Sequence, residues 1–62
     1  MILNIKLKKT REEKGLTQVQ VAEQAKISEV SYQRIERGVQ DPKVSTAKLI
    51  AKALNSRVEQ LF

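Results

Sequence analysis

Cysteine, histidine and tryptophan are absent from the 62 residues, and proline, tyrosine and phenylalanine each occur once. Without cysteine there can be no disulfide and no thiolate metal site. Without histidine the commonest metal ligand and general base is missing. Tyr32 and Phe62 are too few stacking platforms for a single-strand nucleic-acid binder. The apolar start, Met1-Ile2-Leu3, is too short for a signal peptide, and Lys6 follows at once. No apolar run approaches the roughly 20 residues of a membrane span. These absences lead us to expect a cytoplasmic protein with no membrane partner.

Enzyme chemistry is equally poorly supplied. The serines have no histidine to activate them, and the adjacent Glu12 and Glu13 diverge on a helix. A phosphate-cradling glycine loop needs more than two isolated glycines. The expectation is a non-enzyme without cofactor, metal or small-molecule ligand. What the chain does have is charge: 12 Lys and Arg against 7 Asp and Glu give a net +5 and a pI near 9.9. In a small protein that balance suggests a polyanionic partner. Residues 1–62 read as a single domain without repeat or linker. A chain of this length buries only about 60% of its unfolded surface, so its stability should be marginal unless a partner adds to it.

The most informative stretch is residues 16–38, LTQVQVAEQAKISEVSYQRIERG. Thr17 is a good N-cap, and Gln20 stands three residues on to complete a capping box. Leu16 and Val21 are spaced for a hydrophobic staple. Inward positions recur at helical spacing: Val21, Ala22, Ala25, then Ile27 in a turn, then Tyr32 and Ile35. Ser28 can cap a second helix, and Gly38 can end it in the left-handed conformation. The alanines let two helices approach closely. The pattern predicts a helix-turn-helix unit over roughly residues 18–25 and 29–37, whose second helix fits a DNA major groove.

The flanks are helical too, and the class is all-α. A first helix over roughly residues 4–14 closes at Gly15, with Leu3, Leu7 and Thr10 on one face and Arg11 beside them. Residues 39–42 form a loop with Asp41-Pro42 as its turn signal. A fourth helix over roughly residues 45–54 carries Val44, Ala47, Ile50, Ala51 and Leu54 at core spacing. Leu49 stands off that stripe, half exposed, and Asn55 can take a left-handed position after it. A short last helix occupies roughly residues 58–62.

With these residues in place, the chain resembles the phage-repressor and Cro-like helix-turn-helix regulators. The matching pieces are LKKTREEKGLTQ at 7–18, VAEQAKIS at 21–28, RIERG at 34–38, DP at 41–42, LIAKALN at 49–55 and VEQLF at 58–62. The resemblance implies a five-helix, lambda-repressor-like domain that binds double-stranded operator DNA as a homodimer and regulates transcription. Three positions depart from the family pattern. Lys26 replaces a turn glycine and must adopt positive φ, at about 1 kcal/mol or somewhat more. Thr10 replaces a leucine, leaving that face under-packed or its hydroxyl bonded locally. Ser56-Arg57 replaces an apolar residue and a capping serine.

The resemblance places base contacts on the outward face of the third helix, at Glu29, Val30, Gln33 and Arg34, with Ser28 at its start. Arg34 has the geometry for guanine O6 and N7, and Gln33 for adenine. Val30 suits a thymine methyl and Glu29 a cytosine amino group. Phosphate contacts are expected from Thr17 and Gln18 at a helix N-terminus, from Ser28, and from Arg37, Gln40 and Lys43. The resemblance pairs Arg11 with Glu36 as a structural ion pair. Lys6, Lys8 and Lys9 supply long-range attraction. Leu49, Val58, Leu61 and Phe62 either finish the core or form a dimer interface. The alternative to DNA binding is a protein-interaction module, antitoxin- or anti-repressor-like, that uses the same helical surface.

Overall fold

A computed structural model describes residues 4–62, so the expectation for Leu3 lies outside the described residues. Five helices succeed one another: α1 (Ile5–Glu13), α2 (Gln18–Gln24), α3 (Glu29–Arg37), α4 (Val44–Ala53) and α5 (Val58–Leu61), with no strand among the described residues. Their beginnings follow from side-chain acceptors placed where free backbone N–H groups need them. Asn4 Oδ1 accepts from the Leu7 N–H at 3.1 Å. Thr17 Oγ1 accepts from the Gln20 N–H at 3.1 Å while Gln20 Oε1 takes the Thr17 N–H at 2.8 Å, a complete capping box. Ser28 Oγ accepts from the Ser31 N–H at 3.1 Å. Arg57 precedes α5 but has no acceptor on its side chain, so only half of a capping box forms, from its N–H to Gln60 Oε1 at 3.0 Å.

The ends of α1 to α4 share one device. A residue with positive φ follows the helix, and its N–H and the next one turn back to two helical carbonyls. Gly15 (φ 70°), Lys26 (φ 60°), Gly38 (φ 78°) and Asn55 (φ 52°) hold the left-handed position. The returning bonds run from Gly15 to Glu12 and Leu16 to Arg11, and from Lys26 to Glu23 and Ile27 to Ala22, all at 3.0–3.1 Å. After α3 and α4 they run from Gly38 to Ile35, Val39 to Arg34, Asn55 to Lys52 and Ser56 to Ala51. Lys26 thus adopts the conformation its position demands without a glycine.

Leu7, Val21, Ala22, Ala25, Tyr32, Ile35, Ile50, Ala51, Leu54 and Leu61 form the buried core, with Leu16, Ile27, Leu49, Ala53 and Val58 packed against it. Small residues at Ala22, Ala25 and Ala51 sit among the helices where larger side chains would separate them. Val44 corrects the sequence reading. It lies on the right stripe by helical angle but is 73% exposed. The whole start of α4, Lys43 to Ser45, is exposed, and burial begins only at Ala47. Leu7 is the one buried residue of α1, and Thr10 is partly buried.

Asn4 does more than cap α1. Its backbone N–H donates to the Glu36 carbonyl at 2.9 Å, near the end of α3, and its Nδ2 donates to the Leu61 carbonyl at 2.8 Å, at the end of α5. One residue therefore satisfies groups from three helices. Replacing it tests that linkage: Asn4→Ala should cost about 1–3 kcal/mol of stability in urea unfolding, from the lost cap and an orphaned carbonyl. Asn4→Asp, which keeps the cap but has no side-chain N–H donor, should fall between Ala and the parent. Equal stability of Ala and Asn at this position would show that the linkage contributes nothing.

Candidate nucleic-acid interface

The two faces of α3 differ in chemistry. Tyr32, Ile35 and Glu36 are buried. Glu29, Val30, Arg34 and Arg37 are exposed, and Gln33 is partly buried at the edge facing α2. The outward residues combine a carboxylate, an apolar group, an amide and guanidinium groups within one helix face. Val30 is an exposed large apolar side chain, 56% accessible, on a surface otherwise polar.

Behind this face lies a charged brace. Arg11 meets Glu36 with two parallel bonds, Nε to Oε2 at 2.9 Å and Nη2 to Oε1 at 3.0 Å. Its Nη1 donates to the Leu16 carbonyl at 2.9 Å. Both side chains are largely shielded, with 11% and 5% exposure. Burial by itself would push the Glu36 carboxyl up. The bonds from Arg11, the nearby Tyr32 hydroxyl, the Arg11 charge and the Gln18 amide outweigh burial and hold it below the usual carboxylate range. The hydrogen bond to Glu36 leads the causes that raise Arg11. Tyr32 is raised, chiefly by burial and then by Glu36, and its buried hydroxyl makes no hydrogen bond of acceptable geometry.

The network continues toward the surface. Gln18 Nε2 donates to Glu36 Oε1 at 3.2 Å, and Gln18 Oε1 accepts from Gln33 Nε2 at 3.3 Å. Gln33 Nε2 also lies 3.3 Å from Glu29 Oε2. Gln18, expected at a phosphate, also forms a strut between the ion pair and the outward face of α3. A free glutamine at a helix start gives no sign of this in sequence. The long-range partners appear only once α2 and α3 are docked.

The other expected contacts have definite places. Thr17 is exposed, with its hydroxyl engaged in the capping box. Ser28 Oγ caps α3 and donates to Ser31 Oγ at 3.0 Å. Arg37 lines a shallow cleft of 350 Å³ with Lys8, Arg11, Gln18 and Glu36. That cleft brings in Lys8, read from sequence only as a long-range charge; its spacing of three residues from Arg11 on α1 was the available signal. Gln40 and Lys43 line a separate cleft of 280 Å³ beside Asp41 and Pro42. Leu61 needs correction as an interface residue. Only 1% of it is exposed, because it fills the core of its own chain. Leu49 and Val58 are partly buried against that core, and Phe62 is 40% exposed.

Among the described residues, no helix is long and apolar enough to cross a membrane. The family model described as helix-turn-helix matches residues 7–61. The chain is 46% identical over 48 residues to an uncharacterised HTH-type transcriptional regulator, YqaF, of Bacillus subtilis (strain 168). It is 38% identical over 61 residues to the immunity repressor protein of Bacillus phage phi105. Those alignments take in 77% and 98% of this chain but only 63% and 42% of the relatives, so the chain spans less than two thirds of either. The crystal structure of the restriction-modification controller protein C.AhdI from Aeromonas hydrophila superposes with a TM-score of 0.86 at 26% identity. That match covers 92% of this chain and 86% of the other.

The lowered Glu36 carboxyl has a consequence for acid stability. Its contribution is fully present above the ordinary value of 4.5 and is lost as pH falls through the lower folded value. Glu36→Gln should cost about 2–4 kcal/mol at neutral pH, somewhat less than a fully buried pair because Arg11 keeps some solvent contact. Urea unfolding measured from pH 7 down should also show a flatter acid limb in the variant. Parallel acid limbs in the two proteins would refute the assignment.

Proposed function

The chain belongs to the helix-turn-helix family, and on that premise we propose that it is a sequence-specific double-stranded DNA-binding transcriptional regulator with α3 in the major groove. The observation that carries this reading is the outward face of α3. It presents donors, acceptors and an apolar group together, while Arg11 and Glu36 hold the helix from behind. The net charge of +5 supports a polyanionic partner. A repressor is the simplest form of such a regulator, and one relative is named an immunity repressor. The proposal is of a DNA reader acting in the cytoplasm, and not of an enzyme.

In this reading Arg34 bonds guanine O6 and N7, Val30 touches a thymine methyl, and Glu29 and Gln33 face base edges beside them. Thr17, Gln18, Ser28, Arg37, Gln40 and Lys43 hold phosphates, with Lys8 added by its place beside Arg37. A single short helix covers only a few base pairs, so two copies acting together would supply affinity and symmetry. We assign their contact to Phe62 with Leu49 and Val58. Homodimers of this kind set their reading helices about 34 Å apart, one helical turn of DNA.

Selection of bound sequences from a random duplex pool tests the proposal directly. A two-fold-symmetric consensus is expected, with affinity falling steeply as salt rises because cations on the protein displace counterions from phosphates. Arg34→Ala should lose about 1–3 kcal/mol of binding and relax preference at one base pair of each half-site. No consensus, together with salt-insensitive binding to a protein, would replace the DNA reading with a protein-interaction surface.

A further inference from the structure

The brace behind α3 fixes which way the outer amides point. Glu36 is ionised and can only accept, so Gln18 must turn its Nε2 toward it and its Oε1 away. That oxygen faces Gln33, which must answer with Nε2, at 3.3 Å. The same nitrogen lies 3.3 Å from Glu29 Oε2, again an acceptor. Rotating the Gln33 amide by half a turn would set its oxygen against two other acceptors. The orientation is therefore imposed from the ion pair outward, through Gln18.

Both acceptors lie 3.3 Å from Gln33 Nε2, so its hydrogens are drawn toward Gln18 and Glu29 and away from a base. Only Oε1 is left to meet a base. A glutamine that reads adenine in two-point fashion needs both ends of its amide, Oε1 for the N6 amino group and Nε2 for N7. Building on the proposed DNA reading, we infer that Gln33 is an acceptor-only reader that, with Glu29 beside it, selects bases carrying a major-groove amino group. Adenine N6 and cytosine N4 qualify. Guanine presents two acceptors at that edge and thymine an acceptor and a methyl group; neither has an amino donor, and both are rejected. The face of α3 is thus divided by chemistry: acceptors at Glu29 and Gln33, an apolar contact at Val30, a donor fork at Arg34. The specificity of Gln33 is set by residues that touch no base, because Gln18 and Glu36 decide which end of its amide is free.

Modified operators separate this from ordinary adenine reading with the protein unaltered. The base pair read by Gln33 is the one at which Gln33→Ala loses preference in the pool selection. There the parent protein should accept adenine and cytosine within about threefold of each other and disfavour guanine and thymine by about tenfold. With adenine placed there, 7-deazaadenine, which lacks N7, should change affinity by less than about twofold, whereas N6,N6-dimethyladenine should weaken it by about tenfold. Gln18→Leu releases one hydrogen of Gln33, and 7-deazaadenine should then cost about fivefold. A loss of about tenfold on 7-deazaadenine with the parent protein would overturn the inference, as would a consensus untouched by Gln33→Ala. Enrichment of no sequence at all is a different result, and it would overturn the DNA reading on which this rests.

Discussion

A carboxylate buried on the inner side of a helix is tolerable only if a cation comes with it. Glu36 occupies such a position, and much of the structure can be traced to how it is neutralised. Arg11 reaches it from α1 with two bonds and uses a third donor on the Leu16 carbonyl, at the turn that leads into α2. The pair thereby fixes α1, the start of α2 and the last turn of α3 relative to one another. Removing either partner would leave the other shielded from water with its charge unpaired, which is far costlier than losing an exposed ion pair. Replacing the pair by apolar residues would satisfy the core but would give up the fixed polarity handed on to Gln18.

That arrangement separates the work of the two sides of α3. The inner side is apolar and charged in one defined place, and the bonds to Glu36 oppose rotation about the helix axis. The outer side carries Val30, Arg34 and Arg37 free of such constraint. Substitutions on the outside can change the surface that α3 presents without disturbing the packing underneath. Gln33 is the exception, since it belongs to both sides. Its environment shows how a core electrostatic requirement can reach the surface through two amides.

Much of the fold could be read from the sequence because its signals are local. Thr17 with Gln20, Ser28 before α3, Gly15 and Gly38 after their helices, and the alanines at the crossing each act within a few residues. Helical periodicity gave direction but not depth. Val44 lies on the buried stripe by angle and still projects from the start of α4, and Leu61, on a helix of only four residues, is fully buried. Local signals do not reach polar bonds between distant residues. Asn4 and Leu61 are 57 positions apart, and no short-range rule joins an asparagine near one end to a carbonyl near the other. Arg11 and Glu36, 25 apart, were expected only through family resemblance, whereas the double role of Gln18 required the docked helices.

Lys26 marks the turn between α2 and α3, at φ 60° where a glycine would sit without strain. Measured only in the folded protein, the choice is a loss. A glycine there, however, would widen the range of shapes open to the unfolded chain, by an amount comparable to the left-handed penalty. Lysine narrows that range and keeps a positive charge on the turn. The strain in the native hinge is thus set against a poorer denatured ensemble, and the turn loses less stability than its dihedral angle alone would indicate.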